Sequence, residues 1–144
     1  MSDWPRALLL DTHAAIWLVE GQLRDEVVER IVYAGLADGV YVSPVSAWEI
    51  GLLTRPKPGG RAGVQFLPDP LGWFSSLMSK PIIRPAPLTP GMAISASFLP
   101  EPFHSDPADR LLVATAREMN VALMTRDAEI LAYGQAGNVK TSPC

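Results

Sequence analysis

Cysteine is nearly missing from this 144-residue chain: the one copy is Cys144. That excludes a disulfide framework and a multi-cysteine zinc site, and its terminal place makes it a poor nucleophile. Histidine is scarce too. His13 and His104 lie far apart and lack metal-ligand spacing. No apolar run approaches the roughly 20 residues a bilayer span needs. The opening Met-Ser-Asp-Trp-Pro-Arg has neither the basic nor the apolar region of a secretory leader. A cytoplasmic chain without membrane association is therefore expected. There is no basic excess either: 12 Lys and Arg face 15 Asp and Glu, for a net charge of −3. Bulk charge thus gives no broad attraction to nucleic acid. No Gly-x-Ser-x-Gly elbow or Gly-x-x-x-x-Gly-Lys phosphate loop occurs. An aspartyl-phosphate hydrolase would want a second aspartate two residues after a strand-end Asp11; His13 stands there.

What is present suffices for one folded domain over 1–144, with 1–6 expected as a flexible lead-in. Hydrophobic residues make up 48% and charged ones 19%, which excludes a disordered chain. Ala7–Leu10 reads as a short buried strand, and His13–Val19 as a helix starting at once after Asp11-Thr12. Residues 23–37 carry a helical stripe of Leu23, Val27, Ile31 and Ala34. Val40–Val42 reads as a second strand. Ser43-Pro44 then signals a helix start, with the helix running to about Leu53. A Pro- and Gly-rich loop precedes a short helix near Leu71–Ser79. Strand Ile82–Ile83 and a helix from Thr89-Pro90 through Leu99 follow. Pro107–Met119 is the strongest helix. Val121–Thr125 is a strand, Asp127–Tyr133 a short helix, and Val139–Thr141 a last edge strand. Alternating strands and helices predict a parallel sheet of four or five strands with helices on both faces. Ligands gather beyond the carboxyl ends of such strands, where Asp11 and Asp127 both fall.

Most of these acids also suit helix capping. Asp11, Asp106 and Asp127 precede helices, and Asp109 falls in a first helical turn. Glu49 is different. Its helix, Val45-Ser46-Ala47-Trp48-Glu49-Ile50-Gly51-Leu52-Leu53, is almost wholly apolar and has no Lys or Arg at i±3 or i±4. Such a helix is expected to lie away from the surface, with Glu49 near the core or on a cleft floor. A carboxylate there calls for a cation or a raised pKa. Four carboxylates converging would repel one another unless a divalent cation sat between them, and hard oxygen donors suit Mg²⁺, with Mn²⁺ as a substitute. Phosphodiester hydrolysis is the reaction class this implies.

Leu8-Leu9-Leu10-Asp11-Thr12-His13-Ala14, Ser46-Ala47-Trp48-Glu49-Ile50, Asp106-Pro107-Ala108-Asp109-Arg110-Leu111-Leu112-Val113-Ala114-Thr115-Ala116 and Thr125-Arg126-Asp127 resemble, in order and local sequence, the four acidic motifs of PIN-domain ribonucleases. More narrowly they resemble the VapC-type toxins of bacterial toxin–antitoxin pairs. The resemblance covers about residues 7–141. It implies a three-layer α/β/α fold and Mg²⁺-dependent endonuclease cleavage of RNA. It also implies a homodimer, and inhibition by a small cognate antitoxin whose tail covers the acidic cleft. Residue by residue it assigns the acidic quartet to Asp11, Glu49, Asp109 and Asp127.

On that reading Asp11, Asp109 and Asp127 hold the metal, and Glu49 orients the attacking water or a second ion. Thr12 and Ser46 steer the ligands by hydrogen bonds. Asp106 is mainly a cap, with an outer contact to the metal as its further role. Arg110 and Arg126 either reach RNA phosphates or pair with the neighbouring acids. Arg55, Lys57, Arg61, Lys80 and Arg84 make the middle segment net positive, which suits either a surface for RNA-backbone contacts or a solvated flexible loop. Trp17, Trp48, Trp73 and Phe74 are expected in the core or a dimer contact. Two other classes compete with this reading: a non-catalytic RNA- or partner-binding module, and a small-molecule metal-dependent phosphohydrolase. Four of the 15 acids belong to the quartet, which leaves 11 against 12 basic residues, so bulk charge does not argue against RNA.

Overall fold

A computed structural model describes residues 3–144; the expected flexible lead-in lies partly outside the described residues. Within it, Trp4 packs edge-on against Tyr33, and Arg6 pairs with Asp38 at 3.0 Å. The element order is β1 (Ala7–Leu10), α1 (Thr12–Glu20), α2 (Asp25–Leu36), β2 (Gly39–Val42), α3 (Pro44–Thr54), α4 (Pro70–Met78), β3 (Ile83–Pro85), α5 (Pro90–Ser97), α6 (Pro107–Met119), β4 (Ala122–Thr125), α7 (Ala128–Gln135) and β5 (Thr141–Pro143).

The five strands form one parallel sheet in the order β3-β2-β1-β4-β5. Helical crossovers bury both faces of such a sheet, so its strands read as continuous apolar runs rather than alternating ones. In β1, Leu8, Leu9 and Leu10 are all fully buried. Successive side chains still point to opposite faces. Leu8 and Leu10 join Val40, Val42 and Met124 under α1, α2 and α4. Leu9 joins Leu123 under α5, α6 and α7. Helix α3 bridges the two layers, with Ile50 on one side and Val45 on the other. The fold is the expected three-layer α/β/α sandwich.

Helix ends follow local chemistry. Asp11, Ser43, Asp69, Thr89, Asp106 and Asp127 each cap the next helix through a side-chain oxygen. Helix α1 stops at Gly21, whose φ of 71° few other residues adopt cheaply.

Two expectations are corrected. The last strand is Thr141–Pro143, not Val139–Thr141; Val139 instead packs into the core beside α7. Pro143 is tolerated because β5 is an edge strand. Helix α3 is not sunk away from solvent either: Trp48 is 52% exposed and Leu52 41%. The other aromatic expectations hold for Trp73, buried against Phe66, and for Phe74, packed on the same core. Trp17 is half-buried at the mouth of the cleft.

Candidate metal and active site

The chain continues from β1 to β2 on one side of the sheet and from β4 to β5 on the other. The crevice between the carboxyl ends of β1 and β4 is therefore the switch point where ligands bind in such sheets. A cleft of about 430 Å³ opens there. Its walls include Asp11, Thr12, Glu49, Asp106, Asp109 and Asp127, with Trp17 and Arg126. All four quartet acids converge, and Asp106 joins them. Larger concavities exist, one of 650 Å³ lined by Arg117, Asn138 and Lys140. Among the described residues, that concavity is lined by no acid.

Each acid is oriented by its own element. Asp11 follows β1 directly. Its backbone N–H donates to Met124 O at 3.0 Å, and its Oδ1 accepts from Ala14 N at 2.8 Å. Asp127 accepts from Ile130 N at 2.9 Å and donates its own N–H to Thr125 Oγ1 at 3.0 Å. Asp106 accepts from Ala108 N at 2.9 Å. Asp109 sits in the first turn of α6, where the helix dipole favours an anion. Glu49 reaches the cleft from α3, where the Thr12 hydroxyl donates to its Oε1 at 2.5 Å. Ser46 Oγ lies 3.0 Å from Thr12 Oγ1. With its one proton given to Glu49, Thr12 accepts there. Ser46, Thr12 and Glu49 thus form one hydrogen-bonded chain that ends at the cleft.

The electrostatics are those of crowded anions. Burial, and then the charges of Asp106 and Asp127, push the Asp109 carboxyl up to about 7. Burial likewise raises Asp11, which the Thr125 hydroxyl and the Ala14 N–H hold partly down. Glu49 is raised by burial, with Asp106 and Asp11 adding to it. Among the described residues, no Lys or Arg forms an ion pair with any of the five. An all-oxygen donor set whose members destabilise one another's charge fits a divalent cation.

Neither arginine pairs with its neighbouring acid. Arg110 turns away from Asp109 and donates to the backbone oxygens of Ala96, Phe103 and His104. The Arg126 guanidinium carbon lies over the Trp17 ring, 3.8 Å from its centre, and the side chain donates to Cys144 O, so Arg126 stands at the cleft wall without pairing an acid. The basic side chains of the middle segment are all exposed. His13 is exposed in the first turn of α1 and lines the cleft.

Two residues at the site carry roles that the sequence did not assign, Thr125 and His104. Thr125, fully buried, ties the ends of β1 and β4 together. Its place two residues before Asp127 was the available signal. His104 puts Nε2 3.3 Å from Asp109 Oδ2 and 3.1 Å from Glu129 Oε2. His104, Asp109 and Asp127 each bring one donor atom within 4.8 Å of the others. The path from His104 to Asp109 is a loop turn, which no fixed ligand spacing announces.

A parallel α/β/α sandwich that gathers five carboxylates at its switch point defines an acid-cluster site whose donor set suits a divalent cation. The family model described as PIN domain matches residues 8–135, and the chain belongs to that family. It is 31% identical over 127 residues to Ribonuclease VapC22 of Mycobacterium tuberculosis, covering 88% of this chain and 91% of the relative. Among solved structures it resembles VapBC2 from Rickettsia felis, crystallised with a DNA fragment from the promoter. There the TM-score is 0.68 at 10% identity, over 95% of this chain and 98% of that one. FitAcB from Neisseria gonorrhoeae gives a TM-score of 0.52 at 17% identity, over 93% and 95% of the two chains. At those identities the two structures establish the fold. Among the described residues, no helix is long and apolar enough to cross a membrane.

Proposed function

We propose that this chain is a Mg²⁺-dependent endoribonuclease of the VapC toxin type, cytoplasmic and held in check by a small antitoxin protein that covers the cleft. The observation that carries the reading is the convergence of Asp11, Glu49, Asp106, Asp109 and Asp127 at the sheet's switch point, in a PIN-family chain related along most of its length to a ribonuclease. A bound Mg²⁺ supplies charge neutralisation for the scissile phosphate and a more acidic water.

The protein's part follows from its hydrogen bonds. Asp11, Asp109 and Asp127 hold the cation. Asp11 and Asp127 each cap a helix through Oδ1, which fixes the carboxylate plane at the cleft wall. Glu49, with Oε1 occupied by Thr12, keeps Oε2 to accept a proton from the attacking water. The N-termini of α1, α6 and α7 turn partial positive charge toward the same region, where a phosphate binds. Arg126, stacked on Trp17, adds a fixed charge at the wall. Exposed Trp48 and Leu52 on α3, Ile94 on α5 and Phe98 just after it support a second copy as a further partner. Sedimentation of the purified chain tests that pairing.

The deciding experiment incubates the chain with RNA and with a generic phosphate ester, with Mg²⁺ and with excess EDTA. Cleavage of RNA alone, lost in EDTA, is expected. Ester hydrolysis without RNA cleavage would favour the small-molecule phosphohydrolase, and RNA binding without cleavage the binding module.

A further inference from the structure

We propose that His104 is a positioning residue of the acidic cleft, holding Oδ2 of Asp109 and leaving Oδ1 for the cation. The inference rests on the metal-site reading above.

The ring's tautomer follows from its neighbours. Asp106 N–H lies 3.3 Å from His104 Nδ1 and donates to it. A ring nitrogen that accepts carries no proton, so the neutral ring carries its proton on Nε2. That nitrogen is buried and points squarely at no acceptor, yet it sits between Asp109 Oδ2 at 3.3 Å and Glu129 Oε2 at 3.1 Å. One N–H cannot serve both. Glu129 is 67% exposed against 21% for Asp109. Water can solvate the glutamate; Asp109 has less access to it and gains more from the donor. A protonated Nε2 is not a metal ligand, so His104 acts through Asp109 rather than on the cation.

Position agrees with this role. His104 does not line the acid cleft; with Glu129 it lines a neighbouring concavity of 590 Å³. The loop that carries it is braced independently. Arg110 donates to the Phe103 and His104 carbonyls, Phe103 packs on Tyr133 with ring centres 4.4 Å apart, and the Tyr133 hydroxyl donates to Pro100 O at 2.6 Å. This explains why Arg110, next in sequence to Asp109, turns away from it. Ligand-orienting partners of this kind are typically worth 10- to 100-fold in metal affinity or activity.

The test compares wild type with His104→Ala and His104→Gln, whose amide N–H₂ can replace the Nε2 donor. Mn²⁺ binding is read by electron paramagnetic resonance without RNA, beside RNA cleavage and a circular-dichroism melt. His104→Ala should bind Mn²⁺ and cleave roughly 10- to 100-fold worse, with His104→Gln restoring most of both. Unchanged Mn²⁺ affinity in folded His104→Ala overturns the proposal. So does a Gln variant as weak as Ala, which would make the ring nitrogen a ligand itself. Should the variants not fold, ¹H–¹⁵N correlation on wild type decides: an Nε2–H neutral ring is expected, and an Nδ1–H ring overturns it. Wild type that binds Mn²⁺ but leaves RNA intact sinks the ribonuclease reading alone. Wild type that binds no Mn²⁺ sinks both.

Discussion

At the scale of single residues, the site combines two jobs that sequence reading tends to treat as alternatives. Asp11, Asp106 and Asp127 are helix caps and site acids at once. Asn caps as well as Asp, so Asp11→Asn should keep the Ala14 hydrogen bond while removing one buried charge. The expected outcome is at least a hundredfold loss of RNA cleavage with a higher metal-free melting temperature; a lower one would count against the anion cluster. Asp109 gives the pH dependence. Its folded-state pKa, about 7, stands above its ordinary value of 3.8. A group raised in this way favours the folded state fully below the ordinary value, and that contribution is lost as pH climbs toward 7. Melting of the metal-free protein should therefore drop between about pH 4 and pH 7, with Asp11 and Glu49 acting in the same direction. Cation binding requires the deprotonated forms, so stabilisation by Mg²⁺ should grow over the same interval. A melting temperature flat across it, with and without Mg²⁺, would contradict the crowding.

The elements were legible wherever local signals agreed. Ser43-Pro44 and Asp106-Pro107 announce α3 and α6, and the apolar runs of β1 and β4 announce buried parallel strands. β5 was misplaced because Thr141-Ser142-Pro143 has little strand character of its own. Its pairing comes from β4, where Leu123, Met124 and Thr125 face Thr141, Ser142 and Pro143. The apolarity of α3 suggested burial, but composition cannot tell a core face from an exposed apolar one such as Trp48. His104 and Thr125 escaped notice because their partners become neighbours only on folding. Close approach between elements makes a further prediction. Ala in a helix interior usually gains about 1 kcal/mol over Gly. At Gly35 in α2, however, an added Cβ would stand 2.8 Å from Ile82 Cβ. That atom is fixed to the backbone leading into β3, and overpacking of this kind costs about 1–3 kcal/mol. Gly35→Ala should thus lower stability in urea denaturation, despite its better helix propensity; a gain would mean that β3 shifts freely.

Across the whole molecule, the cleft is where separate parts of the chain meet. Its acids come from the end of β1, from α3, from the start of α6 and from just beyond β4, so one cation would bridge elements on both faces of the sheet. The same five acids take a third of the chain's 15 carboxylate side chains and leave 10 against 12 basic residues. Outside the cleft the surface is thus mildly positive. Two consequences follow from that distribution. A ligand that binds only the folded form adds about 2.7 kcal/mol at a hundred times its Kd. At roughly 3–5 °C per kcal/mol for a domain of this size, saturating Mg²⁺ should raise the melting temperature by about 10 °C. The gain should be global, since a single domain of this size unfolds as one cooperative unit as a rule: slow amide exchange should become slower in β1 and β4 together. Protection confined to the α6 N-terminus would mean that the cation touches Asp106 and Asp109 without gathering Asp11 and Asp127. In Asp11→Asn the gain should shrink to a few degrees, because the bridge from β1 is missing while the fold beneath it is unchanged.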